Sequence, residues 1–222
     1  MTNKIALIAF EESQTVTIAM RNHGVECYSN DIKDCSGGRP DWHIKQDFFH
    51  YMTKNFQRYS FLGAHPVCRY NANSGVRWLT SVNKKPEYEW SDKHQIYINP
   101  ERWQKMELAA LCVKSALSFV KSVGMGYVEQ PILHKYAIDI IGEKPTQIIQ
   151  PWMFGHTTKK ATCLWLVNLP ILLPTNMVPE NLRTDEIHKC APGPNREEIR
   201  SKTFSGIAKA IAEQYGTLLL TQ

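Results

Sequence analysis

The chain has 222 residues, of which 43% are hydrophobic and 21% are charged, and its formal net charge is +5. This composition excludes an intrinsically disordered chain, which would have fewer apolar and more charged residues. The length fits one folding unit, so we expect a single domain over residues 1–222. The excess of positive charge is compatible with a polyanionic partner but is too small to predict one.

The N-terminal residues and the cysteines indicate the cellular compartment of the protein. The apolar run at residues 5–10 is too short for a membrane span or a secretory signal, and two acidic residues follow it. The six cysteines form no Cys-x-x-Cys pair, and the histidines show no metal-ligand spacing. We therefore expect a cytoplasmic protein with reduced thiols, no metal and no membrane partner. The sequence gives no indication of the oligomeric state.

The first residues predict a strand, a helix and a second strand. An apolar run at residues 4–10 has the length of a buried strand, and residues 11–24 have helical spacing that ends at Gly24. Residues 25–31 form the second predicted strand. This order is typical of a parallel α/β sheet.

The rest of the chain continues the alternation and predicts a three-layer α/β fold with a mostly parallel sheet. A final helix is expected to be capped by Ser205 and to end at Gly216. The other predicted elements are strands at residues 58–68, 126–131, 147–154 and 161–173, helices at 101–124 and 205–216, and a long loop at 174–202.

Polar residues and a cysteine follow the predicted strands, and ligands of open α/β sheets bind at the carboxyl ends of strands. Asp31 follows the second strand, where a carboxylate can bind a ribose, although a helix N-cap is an equal alternative. Asp47 lies where a third strand would end and could accept from an adenine amino group, with a solvated loop acid as the alternative. The first turn has no Gly-x-Gly, so it favours an adenosine-type ligand over a dinucleotide.

Cys68 and Glu129 are the candidates for covalent chemistry. A cysteine attacks as the thiolate, and the neighbouring Arg69 and the amides of residues 71–75 could stabilise that form. Burial of Glu129 before Pro131 would favour a protonated carboxyl group able to act as an acid. The alternatives are an inert buried thiol and a glutamate paired with a lysine. Three other cysteines are expected to be inert and buried, namely Cys27, Cys112 and Cys163.

A basic turn and several tryptophans bear on nucleic-acid binding. His156, Lys159 and Lys160 fall in one turn, which favours either a phosphate contact or a merely solvated turn. The tryptophans are expected in the core rather than as platforms for stacked bases; these are Trp78, Trp103, Trp152 and Trp165.

Six segments together resemble the small phage-type DNA cytosine-5 methyltransferase-like proteins, nearly over the full length. These are FEESQTVTIAMRNHGVECYSNDI, DWHIKQD, GAHPVCRYNANSGVRWL, YVEQPILHKYA, QPWMFGHTTKKATCLWLVNLPILLPT and RSKTFSGIAKAIAEQYG. The resemblance implies a Rossmann-like methyltransferase fold that uses S-adenosyl-L-methionine. It implies no separate target-recognition domain, because residues 160–200 are too short to hold one.

The resemblance also implies roles for individual residues. Cys68 would attack cytosine C6 in DNA, and Glu129 would protonate N3, so that C5 takes the methyl group. The chain departs from the family at Gln14, where glycine is usual, at Val67 in place of a second proline, and at Gln130 in place of asparagine. The cofactor residues would be Phe10, Glu11, Ser13, Gln14, Asp31, Asp47 and Gly206, and the DNA contacts Arg69, Asn71, Ser74, His156, Lys159 and Lys160.

Three functions remain open from the sequence. The first is methylation of cytosine C5 in DNA. The second is a catalytically silent protein that binds DNA or a partner on the same fold. The third is an enzyme that modifies free pyrimidine nucleotides or transfers a derivative of the methyl group.

Overall fold

A computed structural model describes residues 4–186 and 202–221, which form a central sheet, a smaller sheet and flanking helices. The strands are β1 (Ile5–Ala9), β2 (Glu26–Asp31), β3 (His43–Lys45), β4 (Phe61–Ala64), β5 (Thr80–Ser81), β6 (Glu89–Ser91), β7 (Ile96–Ile98), β8 (Gly126–Pro131), β9 (Gln147–Ile149) and β10 (Thr162–Val167). The α-helices are α1 (Thr15–Asn22), α2 (Phe48–Asn55), α3 (Pro100–Val123), α4 (Lys135–Ile141), α5 (Ser205–Ile211) and α6 (Thr217–Thr221).

The central sheet has seven strands in the order β3-β2-β1-β4-β8-β10-β9. The pairings from β3 across to β8 are parallel, and β10 runs antiparallel to both of its neighbours. The chain builds outward from β1 in one direction and then returns to place β4 on the other side of β1. This reversal is the switch point at which open α/β sheets bind their ligands.

Helices cover both faces of the sheet because the inner strands are apolar on both sides. Ile5, Leu7 and Ala9 of β1 pack with α2, α3 and α4. Ala6 and Ile8 point the other way and pack with α1, α5 and α6. The predicted three-layer, mostly parallel, Rossmann-like α/β fold is confirmed. The prediction of a single domain over the whole chain stays a prediction.

The predicted helix at residues 101–124 is confirmed as α3. Its N-cap, Asn99, accepts a hydrogen bond from the amide of Arg102 at 3.0 Å, and Pro100 occupies the first turn. Gly124 ends the helix with a φ of 94°, a left-handed conformation that glycine adopts without strain.

The last predicted helix differs from the structure at both ends. Ser205 is the first helical residue rather than the cap, and Phe204 at the cap position makes no side-chain cap bond. The chain also stays helical beyond Gly216, through a π-helical turn (Ala212–Gly216) into α6. Gly216 instead allows close packing, because a Cβ there would lie 3.1 Å from His23 and 3.2 Å from Val25.

Three strands are shorter in the structure than the sequence predicted. The strand at 58–68 is β4 alone, because Pro66 soon removes a backbone donor. The strand at 147–154 ends at Ile149, after which Pro151 opens a 3₁₀ turn. The strand at 161–173 ends before Asn168, whose φ of 50° turns the chain.

The long loop predicted at 174–202 is described only in part. Up to residue 186 it holds a short 3₁₀ turn (Glu180–Leu182), and residues 187–201 lie outside the described residues. Neither described range contains a helix long and apolar enough to cross a membrane.

Candidate functional site

His65 and Glu129 meet at the carboxyl ends of two neighbouring parallel strands. Ala64 of β4 pairs with Val128 of β8, so the next residue on each strand emerges at the same edge. Nδ1 of His65 lies 3.5 Å from Oε2 of Glu129, and both side chains are mostly buried. The other ring nitrogen, Nε2, lies 2.9 Å from the hydroxyl of Tyr127. The predicted acid is therefore held beside a histidine that the sequence analysis did not select.

The loop at residues 65–72, here the Cys68 loop, is held by hydrogen bonds where it leaves β4. The amide of His65 donates to the carbonyl of Ala9 at 3.0 Å. Nε2 of Gln130 donates to the carbonyl of Pro66 at 2.5 Å, and Gln130 is buried. From the helical layer, Oγ1 of Thr203 lies 3.2 Å from Nδ1 of His65. Strands β1 and β8 and the residues before α5 thus fix the start of this loop.

The far side of the loop is closed by backbone hydrogen bonds. The amides of Asn71 and Ala72 donate to the carbonyl of Cys68 at 3.1 and 3.3 Å. The amide of Asn73 donates to Ile132, and that of His134 donates to Asn71, at 2.8 and 3.2 Å. Cys68 therefore sits in a tight turn that is docked on the segment after β8.

The thiols differ in how deeply they are buried. Cys68 is half-buried at the surface of its turn. Burial raises the pKa of Cys112 and of Cys163 to about 11, and it raises the pKa of the fully buried Cys27 still further. Those three thiols are mostly protonated at neutral pH, in keeping with the expectation that they are inert. The expectation that all three are buried is wrong for Cys112, which is half-buried.

Asn71, predicted as a substrate contact, lies inside the protein. Its side chain is fully buried, and neither its amide nitrogen nor its amide oxygen has a hydrogen-bond partner within the described part of the chain. A surface contact with DNA is not available to this side chain in the conformation described. Ser74, by contrast, is exposed on the 3₁₀ turn Asn73–Trp78.

The turn after β1 adopts a conformation that normally requires glycine. Phe10 and Gln14 have φ values of 59° and 57°, in the left-handed region. The side chain of Gln14 is buried and bridges two segments. Its Nε2 donates to Oγ of Ser29 at 3.1 Å and to the carbonyl of Arg39 at 2.8 Å, while its Oε1 accepts from the amide of Arg39 at 3.1 Å.

Glu11 is turned inward to the start of α1. Its carboxylate accepts from the amides of Val16 and Thr17 at 2.5 and 3.2 Å and from the hydroxyl of Thr17 at 2.6 Å. Burial raises the pKa of Glu11 above its ordinary value, although these hydrogen bonds and the nearby His65 act in the opposite direction. Close by, Oγ of Ser13 lies 3.1 Å from Oγ1 of Thr15.

The two predicted adenosine-binding acids follow β2 and β3. Asp31 accepts from the amide of Lys33 at 3.0 Å, so it caps a turn rather than a helix. Asp47 is exposed and caps α2 by accepting from the amide of His50 at 2.8 Å. Ile32, which the sequence analysis did not select, is 67% exposed beside Asp31. An apolar residue directly after a strand-ending acid is the sequence signal that could have identified it.

Aromatic side chains pack beneath this part of the sheet edge. The ring of Phe10 lies 4.8 Å from that of Phe48 and 6.0 Å from that of Phe49, measured between centroids. This contact fixes the beginning of the β1 turn against α2. Phe10 is therefore held by ring contacts at the residue that follows β1.

Gly206, predicted to lie against the cofactor, contacts a turn of the protein. Its amide donates to Nε2 of His156 at 2.9 Å. A Cβ on this residue would lie 1.9 Å from the carbonyl oxygen of Phe154. Burial lowers the pKa of His156, and Nε2 acts as an acceptor, so a phosphate contact by this neutral ring is left to Nδ1.

The two lysines of the predicted basic turn are half-buried. The ammonium of Lys159 lies 3.9 Å from the carboxylate of Asp185. The ammonium of Lys160 lies 5.6 Å above the ring of Phe204, and its amide donates to Oε1 of Gln150 at 3.0 Å. Both lysines thus have protein partners, and their predicted phosphate contacts stay predictions. In the two described ranges, no three metal-ligating side chains come together.

Comparisons with known proteins include one distant structural neighbour. No family model matches the chain, and no curated protein matches it. Among solved structures, a mutant of DNMT2 from Spodoptera frugiperda aligns with a TM-score of 0.39 and 11% sequence identity. The alignment covers 82% of this chain and 57% of that chain, so this chain spans little more than half the length of its neighbour. At this distance the likeness carries no argument about function, which rests on the site itself.

Proposed function

We propose that the protein is an S-adenosylmethionine-dependent methyltransferase that acts on cytosine C5 in DNA through a covalent bond to Cys68. The observation that carries this proposal is that the ends of two neighbouring parallel strands, beside the switch point, are joined. The Cys68 loop and Glu129 leave β4 and β8 side by side, linked by the bond from Gln130 to Pro66. A nucleophile and an acid held at one sheet edge suit addition to an electron-poor ring.

The residues at the ends of β1, β2 and β3 suit an adenosine group. Asp31 offers a carboxylate to a ribose, and the exposed Ile32 beside it offers an apolar surface to a base. Glu11 and Gln14 are occupied by protein partners, so in this proposal they shape the turn, and Ser13 and the backbone face the ligand. Asp47 would bind the adenine amino group. When bound there, S-adenosylmethionine supplies an electrophilic methyl group.

The residues of this chain would prepare the cytosine. The thiolate of Cys68 forms a bond to C6 while Glu129 gives a proton to N3, and the ring electrons shift onto C5. After C5 has gained the methyl group, the C5 proton leaves to a base, the bond between sulfur and C6 breaks, and the thiolate is released. The proton on N3 returns to Glu129, which restores both the neutral base and the acid. His65 would orient Glu129, because it lies between that carboxylate, Tyr127 and Thr203.

The test is transfer of a labelled methyl group to cytosine-containing DNA, with the modified nucleoside identified by mass spectrometry. Cys68→Ala is expected to abolish transfer, and Glu129→Gln to slow it by about 10²- to 10⁴-fold through loss of the proton donor. The matched control is Cys35→Ala, since the thiol of Cys35 is half-buried, as that of Cys68 is. Full activity in Cys68→Ala would overturn the covalent mechanism.

A catalytically silent nucleic-acid-binding protein is the second candidate. The observation that favours it is the commitment of the Glu11 and Gln14 side chains to contacts within the protein. Titration calorimetry separates the two candidates. Binding of S-adenosylmethionine supports the enzyme, whereas binding of DNA with no binding of the cofactor supports the silent protein.

A further inference from the structure

A cleft of about 270 Å³ lies beside the Cys68 loop. One wall comes from the residues that directly follow Cys68, and the other wall comes from the first turns of α3. Its principal lining side chains are Arg69, Tyr70, Trp78, Glu101, Arg102 and Lys105.

The charges of the cleft suit an anion. Among its lining side chains, Arg102 and Lys105 offer cationic groups to a ligand, and Glu101 is acidic. Glu101 is paired with Lys105, but both groups are solvent-exposed, and exposed pairs of this kind contribute little and are screened by salt. Arg102 is exposed, and it forms no ion pair within residues 4–186 and 202–221. A phosphate entering the cleft would therefore meet Arg102 directly and could compete with Glu101 for Lys105.

The aromatic side chains of the cleft suit a nucleobase. Trp78 was expected in the core, but the structure leaves it 53% exposed at the cleft. Tyr70 lines the same cleft and is half-buried. An exposed indole among cations is the arrangement by which proteins bind single strands, with bases stacked on aromatic rings and phosphates held by basic residues.

We propose that this cleft binds a nucleotide adjacent to the target cytosine in single-stranded DNA. The base stacks on Trp78, and the phosphate lies between Arg102 and Lys105. A base in a duplex is already stacked on its neighbours, so stacking on Trp78 selects an unpaired strand. This inference rests on the proposed function for the identity of the target base, and it adds the strand preference. Arg69 joins the two places, because it lines the cleft and directly follows Cys68.

The first test is binding rather than catalysis, so that the two proposals can fail separately. Cys68→Ser protein without cofactor is titrated into a fluorescent single-stranded 12-mer and into the matching duplex, and anisotropy is measured. The single strand is expected to bind more tightly. Trp78→Ala should weaken its binding roughly 5- to 100-fold, and Trp78→Phe, which keeps an aromatic face, should retain most of the affinity.

The matched control is Trp90→Ala. Trp90 is 50% exposed, and its ring lies 5.1 Å from that of Tyr97, measured between centroids. Both residues belong to the small sheet, whose strand order is β5-β7-β6, and neither lines the cleft. Its substitution should leave DNA binding unchanged. Circular dichroism of each variant checks that the fold is retained, and the salt dependence of Arg102→Ala tests the cleft independently where Trp78→Ala misfolds.

The second test is the salt dependence of binding. Arg102→Ala should reduce the slope of log K against log salt by about 0.7 for single-stranded DNA, the loss of one phosphate contact. Lys114→Ala, at an exposed position further along α3, should not change the slope.

The outcomes of these tests distinguish failure of the cleft assignment from failure of the proposed activity. The cleft assignment is overturned if Trp78→Ala and Arg102→Ala bind as the parent does, if the duplex binds more tightly than the single strand, or if no DNA binds. Binding that depends on Trp78, in a wild-type protein without methyl transfer, would uphold the cleft and overturn the proposed activity alone.

Discussion

Replacement of Gly206 by alanine separates two explanations for a glycine at this position. If the glycine is needed for close approach of a cofactor, as the family resemblance implies, the variant should fold normally and bind the cofactor weakly. If the glycine is needed for packing, as the structure indicates, the variant should lose stability. The amide of Gly206 donates to His156 at 2.9 Å, and its α-carbon faces the carbonyl of Phe154.

The structure fixes the sign of the expected change. Gly206 lies in α5, and its φ is outside the left-handed region. In a helix, replacement of glycine by alanine without any clash would add about 0.5 to 1 kcal/mol of stability. The new Cβ, however, would lie 1.9 Å from the oxygen of Phe154 and 3.0 Å from Nε2 of His156. Overpacking costs about 1 to 3 kcal/mol, and the loss of the hydrogen bond to His156 costs about 1 kcal/mol. The net expectation is a loss of about 1 to 3 kcal/mol.

Urea unfolding and thermal melts measure this loss. The melting temperature should fall by roughly 3 to 10 °C for a chain of this size. Gly75→Ala is the matched control, because a Cβ there meets no atom within 4 Å and its φ is not left-handed, so its stability should change by less than about 0.5 kcal/mol. A Gly206→Ala protein as stable as the wild type, with weaker cofactor binding by calorimetry, would refute the packing explanation.

Three further predictions concern the residues around the site. Iodoacetamide at pH 8 should label Cys68 and leave Cys112 and Cys163 unmodified, because a pKa of about 11 leaves on the order of 0.1% of these two thiols as thiolate. Mass spectrometry of the labelled peptides measures this, and equal labelling of the three cysteines would contradict the prediction. Burial raises the pKa of Glu11, so the contribution of this group to stability is largest below pH 4.5 and is lost as the pH rises. The free energy of unfolding of the wild type should therefore fall relative to that of Glu11→Gln between pH 4.5 and 7.5. A difference between the two proteins that stays constant over this range would contradict the prediction. Gln130→Asn introduces the residue that is usual in the family this chain resembles, but it shortens the side chain that donates to the carbonyl of Pro66. It should lower the free energy of unfolding in urea by about 1 to 2 kcal/mol and slow methyl transfer, and unchanged transfer would contradict a role for this hydrogen bond.

The long elements of this fold could be predicted because their patterns are set by burial. The apolar run of β1 is continuous since helices cover both of its faces, and α3 carries both a capping asparagine and a terminal glycine. The small sheet was not predicted, because strands of two or three residues are too short for an alternating pattern to emerge. Helices α2 and α4 span about two turns each, and their apolar residues are indistinguishable from those of strands at that length.

The positions of Cys68 and Glu129 could be predicted, but their surroundings could not. Both residues follow parallel strands, and the carboxyl ends of such strands share one edge of the sheet. The contacts of His65 with Tyr127 and Thr203 join residues 62 and 138 positions apart, so no local pattern marks them. The exposure of Trp78 likewise depends on how the turn Asn73–Trp78 packs on α3, and composition alone favoured the core.

The three positions at which this chain differs from the family that it resembles lie around the candidate site rather than at Cys68 or Glu129. Gln14 keeps the left-handed backbone that a glycine would supply, and its buried amide ties the turn to Ser29 and Arg39. Gln130 ties the strand after Glu129 to the Cys68 loop. Val67 is exposed, so the loss of a second proline there leaves no hole in the core. The buried side chains of Gln14 and Gln130 thus each hydrogen-bond a neighbouring segment. These bonds hold the turn after β1 and the start of the Cys68 loop in place at the edge of the sheet that carries Glu129.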